Sequence, residues 1–170
     1  MACIRLITIS NYDPVTFEGT AAALSKVPGL VSTYIGTQIE DATCAQVVLR
    51  WKALEDHSRF MSSDIYDNLL KQTEVVSPRN PTVARVEPSS SIETVLSAPV
   101  TEFAMARLRS SSDRSEWEKC LETTLNGITE TKGAIAGVHG TTETNPDEYV
   151  FVIGWESLEV SRQSPDSSFA

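Results

Sequence analysis

The 170-residue sequence is poor in the residues that most often bind metals or form disulfides. It contains two histidines and three cysteines, and Cys3, Cys44 and Cys120 form no Cys-x-x-Cys pair. Widely spaced cysteines in an odd number fit buried free thiols in a reducing compartment better than a disulfide framework or a zinc site. Two histidines and three scattered cysteines also leave few ligands for a transition metal, so we expect no metal site.

Basic residues are also scarce. The chain has 14 Lys and Arg against 23 Asp and Glu, which gives a formal net charge of −9 at pH 7. Phosphate binding needs clustered basic side chains, so this charge argues against nucleic acid as a partner, and equally against an anionic membrane surface. No apolar run reaches the roughly 18 residues that span a bilayer, and Met1–Arg5 leads into a strand pattern rather than a signal peptide. The sequence therefore predicts a soluble cytoplasmic protein.

Several motifs of well-known chemistry are absent from the sequence. It has no Gly-rich phosphate loop, no His-Glu-x-x-His metal motif and no Gly-x-Ser-x-Gly nucleophile motif. We expect any catalysis to proceed without a metal, a dinucleotide or another cofactor, with the conjugated system of the ligand carrying the chemistry.

What the sequence does contain is a repeated junction between a strand and a helix. Gln46–Leu54 reads as a buried strand that runs into a helix, and Tyr149–Leu158 has the same pattern. Trp51 and Trp155 lie 104 positions apart. The same spacing separates Leu54 and Leu158, Gly36 and Gly140, and Gly29 and Gly133. A shared spacing of this kind indicates an internal duplication.

The first repeat, expected over residues 1–87, alternates strand and helix signals. Asp13 fits a helix N-cap, and Pro14 fits the first helical position, where its missing N–H costs nothing. Ser62 and Ser63 are expected to interrupt the second helix. The predicted elements, in order, are a strand over Cys3–Ile9, a helix from Pro14, strands over Leu30–Gln38 and Gln46–Trp51, a helix over Leu54–Leu70 and a strand over Thr82–Val86. The order β-α-β-β-α-β is that of a ferredoxin-like unit.

Residues 88–99 contain Ser and Pro without sustained periodicity and are expected to be a linker. The pattern then restarts, so residues 100–170 are expected to form a second ferredoxin-like repeat, with a capping box at Asp113-x-x-Glu116. The first repeat spends the 35 residues from Trp51 to Val86 on a helix and a closing strand, whereas 15 residues follow Trp155. The second repeat is therefore expected to be shortened at its C-terminus, either natively or because the chain is a truncated product.

Two short motifs add a resemblance to a known family: Trp155-Glu156-Ser157 at the second junction and Phe60-x-x-x-x-x-Tyr66 on the second helix. With the tandem ferredoxin-like pattern, they resemble the antibiotic biosynthesis monooxygenase-like branch of the dimeric α/β-barrel superfamily, and the tandem form looks like fungal proteins of that branch. The resemblance implies an α+β fold in which two ferredoxin-like repeats form an intrachain, barrel-like pseudo-dimer. It also implies a small, mostly aromatic ligand between sheet and helices.

The same family includes enzymes for cofactor-free oxidation of polyketide phenols, haem degradation and polyketide cyclisation, and members with no known catalysis. Its haem-degrading members place a tryptophan nine residues after the junction tryptophan and a histidine ten residues beyond that. Counted from Trp51, these positions hold Phe60 and Leu70, and counted from Trp155, the first holds Ser164. The pattern argues against haem cleavage by that mechanism.

His139 is the first candidate for catalysis. It lies in a predicted strand where the first repeat has Ile35. A histidine in a pocket can act near neutral pH as the general base for a phenol or enol. The simpler interpretation, a hydrogen-bonded or partly exposed histidine at a strand end, is favoured because one histidine makes no constellation. The other histidine, His57, follows Glu55 and Asp56 and is expected on a solvated helix surface.

Arg50 alternates with Trp51 and is therefore expected on the opposite side of the sheet. If both sides are covered, a buried Arg50 needs an anionic partner or ligand. Near an edge it could equally pair with Glu40 or Glu102, and the two interpretations carry similar weight. Arg5 poses the same question.

An aromatic set completes the candidates. Trp51, Trp155, Tyr34 and Phe60 could line a pocket for a planar ligand, although core packing is the commoner role of a tryptophan at a strand–helix junction. Asn11 follows the first strand, where some members of the family carry a polar residue at the pocket mouth, but Asn-Tyr-Asp-Pro is also ordinary turn chemistry.

Two hypotheses about function follow. In the first, the protein binds a small apolar or aromatic molecule and acts as a cofactor-free monooxygenase or a cyclase on a polyketide-like phenol in secondary metabolism. In the second, it is a non-catalytic binding or structural protein. The sheet edge left by a shortened second repeat would then pair with another copy and form a homodimer.

Overall fold

The structure is a computed structural model that describes residues 3–72, 74–75, 82–87, 91–109 and 113–163. The chain divides into two compact units, Met1–Ala84 and Arg85–Ala170. In the described part of the chain, no helix has both the length and the apolar character needed to cross a membrane.

The first unit follows the predicted order of elements. They are β1 (Cys3–Ser10), α1 (Pro14–Leu24), β2 (Leu30–Thr37), β3 (Ala45–Trp51), α2 (Leu54–Met61), α3 (Asp64–Gln72), β4 (Glu74–Val75) and β5 (Thr82–Glu87), which continues past the boundary between the units. Asp13 caps α1, because its Oδ1 accepts a hydrogen bond from the backbone N–H of Val15 at 3.2 Å. The predicted break at Ser62 and Ser63 separates α2 from α3. The ferredoxin-like order is thus confirmed, with the short β4 as an addition.

In the sheet of the first unit, β1 lies between β3 and β5. It pairs antiparallel with β3 from Cys3–Trp51 to Ile9–Ala45, and with β5 through Ile4–Val83. The outer neighbour of β3 is β2. Residues directly opposite each other in such a ladder share one face of the sheet, so this register decides which side chains can meet.

The helices of the first unit pack on one face of its sheet. Side chains of a strand alternate between faces, and alternate residues of β3 join the helices in a single core. The buried members of this core are Cys3, Ile7, Ile9, Phe17, Leu24, Val27, Val47, Leu49, Trp51 and Phe60. We call this side the helix face of the sheet and the other side its opposite face.

The second unit contains α4 (Ile92–Leu96), β6 (Val100–Arg107), α5 (Arg114–Thr129), β7 (Ala134–Thr142), β8 (Glu148–Trp155) and α6 (Leu158–Gln163). Asp113 caps α5 as predicted, since its Oδ1 accepts from the backbone N–H groups of Ser115 at 2.8 Å and Glu116 at 3.4 Å. In the sheet, β8 lies between β6 and β7 and is antiparallel to both. Its helix face carries Ile153 and Trp155, which pack with Ile128 of α5.

Helix α4 lies within residues 88–99, the segment expected to be a linker. Its apolar residues Ile92, Val95 and Leu96 are buried, but five helical residues give too short a stripe to stand out in the sequence. Gly154 permits its close approach to β8, because a Cβ at Gly154 would come within 2.8 Å of the Cβ of Ala98 and 3.1 Å of the carbonyl oxygen of Val95.

The 104-residue spacing of the sequence recurs as repeated geometry. Gly29 and Gly133 both have positive φ, at 83° and 86°, a conformation that favours glycine. Each accepts a hydrogen bond of 2.9 Å from the backbone N–H that follows the junction tryptophan. The ladders of both units also shift register at the same place, between Leu30 and Ser32 and between Ala134 and Ala136. Residues 164–170 lie outside the described residues, so the shortened second repeat stays a prediction.

The cysteines differ from expectation in one respect. Cys3 and Cys44 are buried free thiols, but Cys120 is exposed. The buried stripe of α5 consists of Leu121, Leu125 and Ile128, and Cys120 lies about 100° round the helix from Leu121.

Candidate functional site

The junction tryptophan of the first unit stands in an aromatic cluster on the helix face. Trp51 is completely buried, and its ring centroid lies 4.9 Å from that of Phe60 on α2. Phe60 in turn meets Tyr66 of α3 edge to face at 5.4 Å. The structure therefore brings together Trp51 and Phe60, two of the predicted aromatic residues, and adds Tyr66 to them.

His57 also belongs to this cluster, and the expectation of a solvated helix surface was wrong. The residue is 3% exposed, and its ring meets Trp51 edge to face at 5.8 Å. Leu54, His57 and Phe60 follow one another at intervals of three residues and so share the side of α2 that packs on the sheet. This three-residue spacing was the sequence signal that His57 is buried, but the charged neighbours Glu55 and Asp56 obscured it.

The surroundings of His57 favour its neutral form. Burial, and secondarily the positive charge of Arg5, lower the pKa of His57 from 6.5 to about 4. At neutral pH the imidazole is therefore uncharged, with one nitrogen as a donor and the other as an acceptor. Neither ring nitrogen of His57 has a hydrogen-bond partner among the described residues, and the same holds for Nε1 of Trp51.

Unsatisfied polar atoms of this kind are uncommon in protein interiors. Each costs about 1–3 kcal/mol when it is withdrawn from water without a partner, so native structures keep few of them. Three such atoms, on two neighbouring rings, mark the contact region between α2 and the sheet of the first unit as the candidate site.

Arg5 supplies the positive charge of this site. It lies opposite Leu49 in the β1–β3 ladder and therefore on the helix face, with Trp51 two residues further along β3. Arg5 therefore belongs to the side of the sheet on which His57 lies.

The second unit has a different arrangement at the corresponding positions. Glu102 lies opposite Ile153 in the β6–β8 ladder, and Ile153 follows Leu49 by 104 positions, so Glu102 corresponds to Arg5. Its Oε2 accepts a hydrogen bond from Nε1 of Trp155 at 2.9 Å and another from Oγ of Ser161 at 3.4 Å. Ser161 stands 104 positions after His57. The indole N–H of Trp155 therefore has an acceptor within the second unit, whereas that of Trp51 has none among the residues that the structure describes.

Two of the predicted ligand-binding residues lie on the opposite face of the first sheet. Arg50 is opposite Ile4 and Ser32, and Tyr34 is opposite Val48. Both are half-buried. Trp51 and Phe60 lie on the helix face, so the predicted set is divided between the two faces of the sheet.

The remaining candidates lie elsewhere. His139 is half-buried on β7 and stacks on Phe151 of β8, with ring centroids 6.3 Å apart. It shares the helix face of the second unit with Trp155, since Phe151 and Trp155 are four residues apart on one strand. Asn11 is exposed, with a φ of 49°, in the left-handed region that asparagine tolerates well.

The described residues contain no group of three or more His, Cys, Asp or Glu side chains placed to hold a metal ion. The site of the first unit instead combines aromatic surface, a neutral imidazole, an indole N–H and a nearby cation. Such a set suits a planar organic ligand with an anionic or acidic oxygen.

Comparisons with known proteins identify the fold. No protein-family model matches the chain, and no curated protein matches it. Among solved structures, an anthrone oxidase-like protein superposes with a TM-score of 0.65 at 13% identity, covering 98% of this chain and 79% of its own. A candidate monooxygenase from Fusobacterium nucleatum subsp. nucleatum gives a TM-score of 0.62 at 8% identity, with 95% and 78% coverage.

A third solved structure is that of a ferredoxin-fold protein from Listeria monocytogenes described as related to antibiotic biosynthesis monooxygenases. It gives a TM-score of 0.52 at 10% identity and covers 95% of this chain and 75% of its own. At these identities the similarity establishes the fold. The chain has the α+β, ferredoxin-like layout predicted from its sequence.

Proposed function

We propose that this chain is an antibiotic biosynthesis monooxygenase-like protein that binds a small aromatic molecule in the first unit, between α2 and the sheet. The observation that carries the proposal is His57: a buried imidazole, beside Trp51, with no partner for either ring nitrogen among the described side chains. A ligand that hydrogen-bonds there would recover the cost of those unsatisfied atoms.

The proposed reaction is the cofactor-free oxidation of a polyketide-like phenol. The similarity to an anthrone oxidase-like protein and to a candidate monooxygenase supports this choice through the shared fold. The accepting nitrogen of His57 takes a phenolic proton and returns it to the same oxygen once the oxidation is complete, and the charge of Arg5 stabilises the phenolate in between. The electron-rich ring system then reduces dioxygen. One oxygen atom becomes the carbonyl oxygen of the oxidised carbon, and the other leaves as water together with the two hydrogens that this carbon carried.

His139 remains the alternative base. It lies on a helix face, next to an aromatic ring, but in the second unit. Two single substitutions distinguish the histidines, because each removes one imidazole and leaves the other in place.

The test uses 1,8-dihydroxyanthrone under air, with oxygen uptake and quinone absorbance as readouts. We expect turnover above the rate of autoxidation, a loss of at least about tenfold in His57→Ala, and near-wild-type rates in His139→Ala. Far-UV circular dichroism confirms that both variants are folded. The reverse pattern would assign the base to His139.

Binding of 1,8-dihydroxyanthrone is measured separately, by the quenching of tryptophan fluorescence. Trp51→Phe should abolish the quenching, whereas Trp117→Phe, on α5 of the second unit, should retain it. Binding without oxygen uptake would favour a cyclase or a non-catalytic binding protein. An absence of binding would contradict the proposal.

Self-association through a sheet edge is a second proposal. Among the strands that the structure describes, β2 lies at the end of the order, and Val31 and Ile35 on it are 51% and 40% exposed. Unpaired edges with apolar side chains invite pairing with a second copy. Sedimentation velocity should show a dimer that Val31→Lys converts to monomer, whereas a wild-type monomer at all concentrations would refute the idea.

A further inference from the structure

We propose that the ligand of the first unit is an aromatic acid, whose carboxylate accepts hydrogen bonds from Nε1 of Trp51 and from the donor nitrogen of His57, close to the charge of Arg5; the accepting nitrogen of His57 is left for the phenolic proton. The inference rests on the proposed function and narrows its ligand class. It also assigns one binding site to each chain, in the first unit.

The second unit provides the chemical precedent within the same molecule. There the carboxylate of Glu102 accepts from the junction indole of Trp155 at 2.9 Å and from Ser161 at 3.4 Å. A carboxylate is therefore a fitting partner for this combination of indole N–H and residue on the following helix. In the second unit the chain supplies that carboxylate itself.

The first unit repeats the geometry with the charge reversed. Its indole belongs to Trp51, and His57 replaces the serine. Arg5 occupies the β1 position that corresponds to Glu102, as the two ladders show. Two polar side chains are more than nine-tenths buried there, and none of their nitrogens has a partner within the described part of the chain.

Electrostatics select the class of ligand. An anionic oxygen gains a charge-assisted hydrogen bond from the indole and attraction to the guanidinium. A neutral amide of the same shape gains neither the full bond strength nor the attraction. The aromatic part of the ligand packs on Phe60 and Tyr66, which continue the ring cluster from Trp51.

The experiment compares 2-naphthoate with its neutral isostere 2-naphthamide by titration calorimetry on the intact chain. We expect one site per chain, with naphthoate bound about ten- to hundredfold more tightly than naphthamide. Equal affinities would overturn the inference but leave aromatic binding, and with it the proposed function, intact. Two equivalent sites per chain would also overturn it, and a failure of both probes to bind would instead contradict the proposed function.

A double substitution rebuilds the second unit's arrangement in the first. Arg5→Glu with His57→Ser should reduce naphthoate affinity at least to the level at which the unchanged protein binds naphthamide. Arg59→Glu is the matched control, because it makes the same charge change on the exposed side of α2. If naphthoate affinity survived the double substitution, the assignment would be wrong. His57→Ser alone supplies the same test, at smaller amplitude, if the double variant does not fold.

Discussion

The buried state of His57 makes protein stability depend on pH in a definite direction. The unfolded chain binds a proton at His57 below pH 6.5, whereas the folded chain binds it only near pH 4. Acid therefore favours unfolding over this window. The contribution of His57 to stability is complete above pH 6.5 and is lost as the pH falls towards 4.

The size of the effect follows from the pKa shift. Lowering the pKa from 6.5 to about 4 corresponds to about 3–4 kcal/mol at roughly 1.4 kcal/mol per unit. Because His57 is 3% exposed, solvent screens this free-energy contribution only weakly. It is a substantial share of the 5–15 kcal/mol that typically stabilises a folded protein.

Urea unfolding at pH 7.5, 6.5, 5.5 and 4.5 measures this term when the wild type is compared with His57→Gln. Acid also destabilises the protein by protonating carboxylates such as Asp41, whose pKa is lowered chiefly by hydrogen bonds from Thr43. They are the same in both proteins, so they cancel in the difference. We expect the free-energy difference between the two proteins to change by about 2–3 kcal/mol across the range. A constant difference would refute the placement of His57 in a dry site.

Three further predictions concern stability. Phe60→Ala should lower the free energy of unfolding by about 3–5 kcal/mol because it leaves a cavity beside Trp51, whereas Arg59→Ala on the same helix should cost less than about 1 kcal/mol. An equal loss in both, measured by urea unfolding, would contradict the packing of α2. Glu102→Leu should cost about 1–3 kcal/mol because it removes the acceptor of the Trp155 indole, and Glu102→Gln, which keeps an acceptor oxygen, should cost less. Gly154→Ala should also lower the melting temperature, since its Cβ would lie 2.8 Å from the Cβ of Ala98 and 3.1 Å from the carbonyl oxygen of Val95, and an unchanged melting temperature would argue against these contacts.

Local signals and one repeated spacing were sufficient to predict much of the fold. The glycines at 29 and 133 mark turns that require positive φ, so their spacing reports the backbone directly. Asp13 and Asp113 mark helix starts through their capping side chains. Helix α4 was not predicted, because burial against a sheet rather than a long apolar stripe holds it in place.

The candidate site was harder to predict, because it depends on register. Arg5 and Glu102 lie 97 positions apart, seven fewer than the spacing of the other landmarks, so the 104-residue offset does not align them. Only the strand pairing shows that they correspond. The structure places Tyr34 and Trp51 on opposite faces for a similar reason, since a register shift after Leu30 decides which face each residue of β2 occupies.

The most direct test of the site is an NMR titration of the imidazole resonances, because the chain has two histidines and His57→Gln assigns them. In the free protein, His57 should titrate near pH 4. Addition of 2-naphthoate should shift the resonance of His57, raise its pKa by supplying a neighbouring negative charge, and leave His139 unchanged. A His57 that titrates near pH 6.5 and does not respond to the ligand would contradict the site in the first unit.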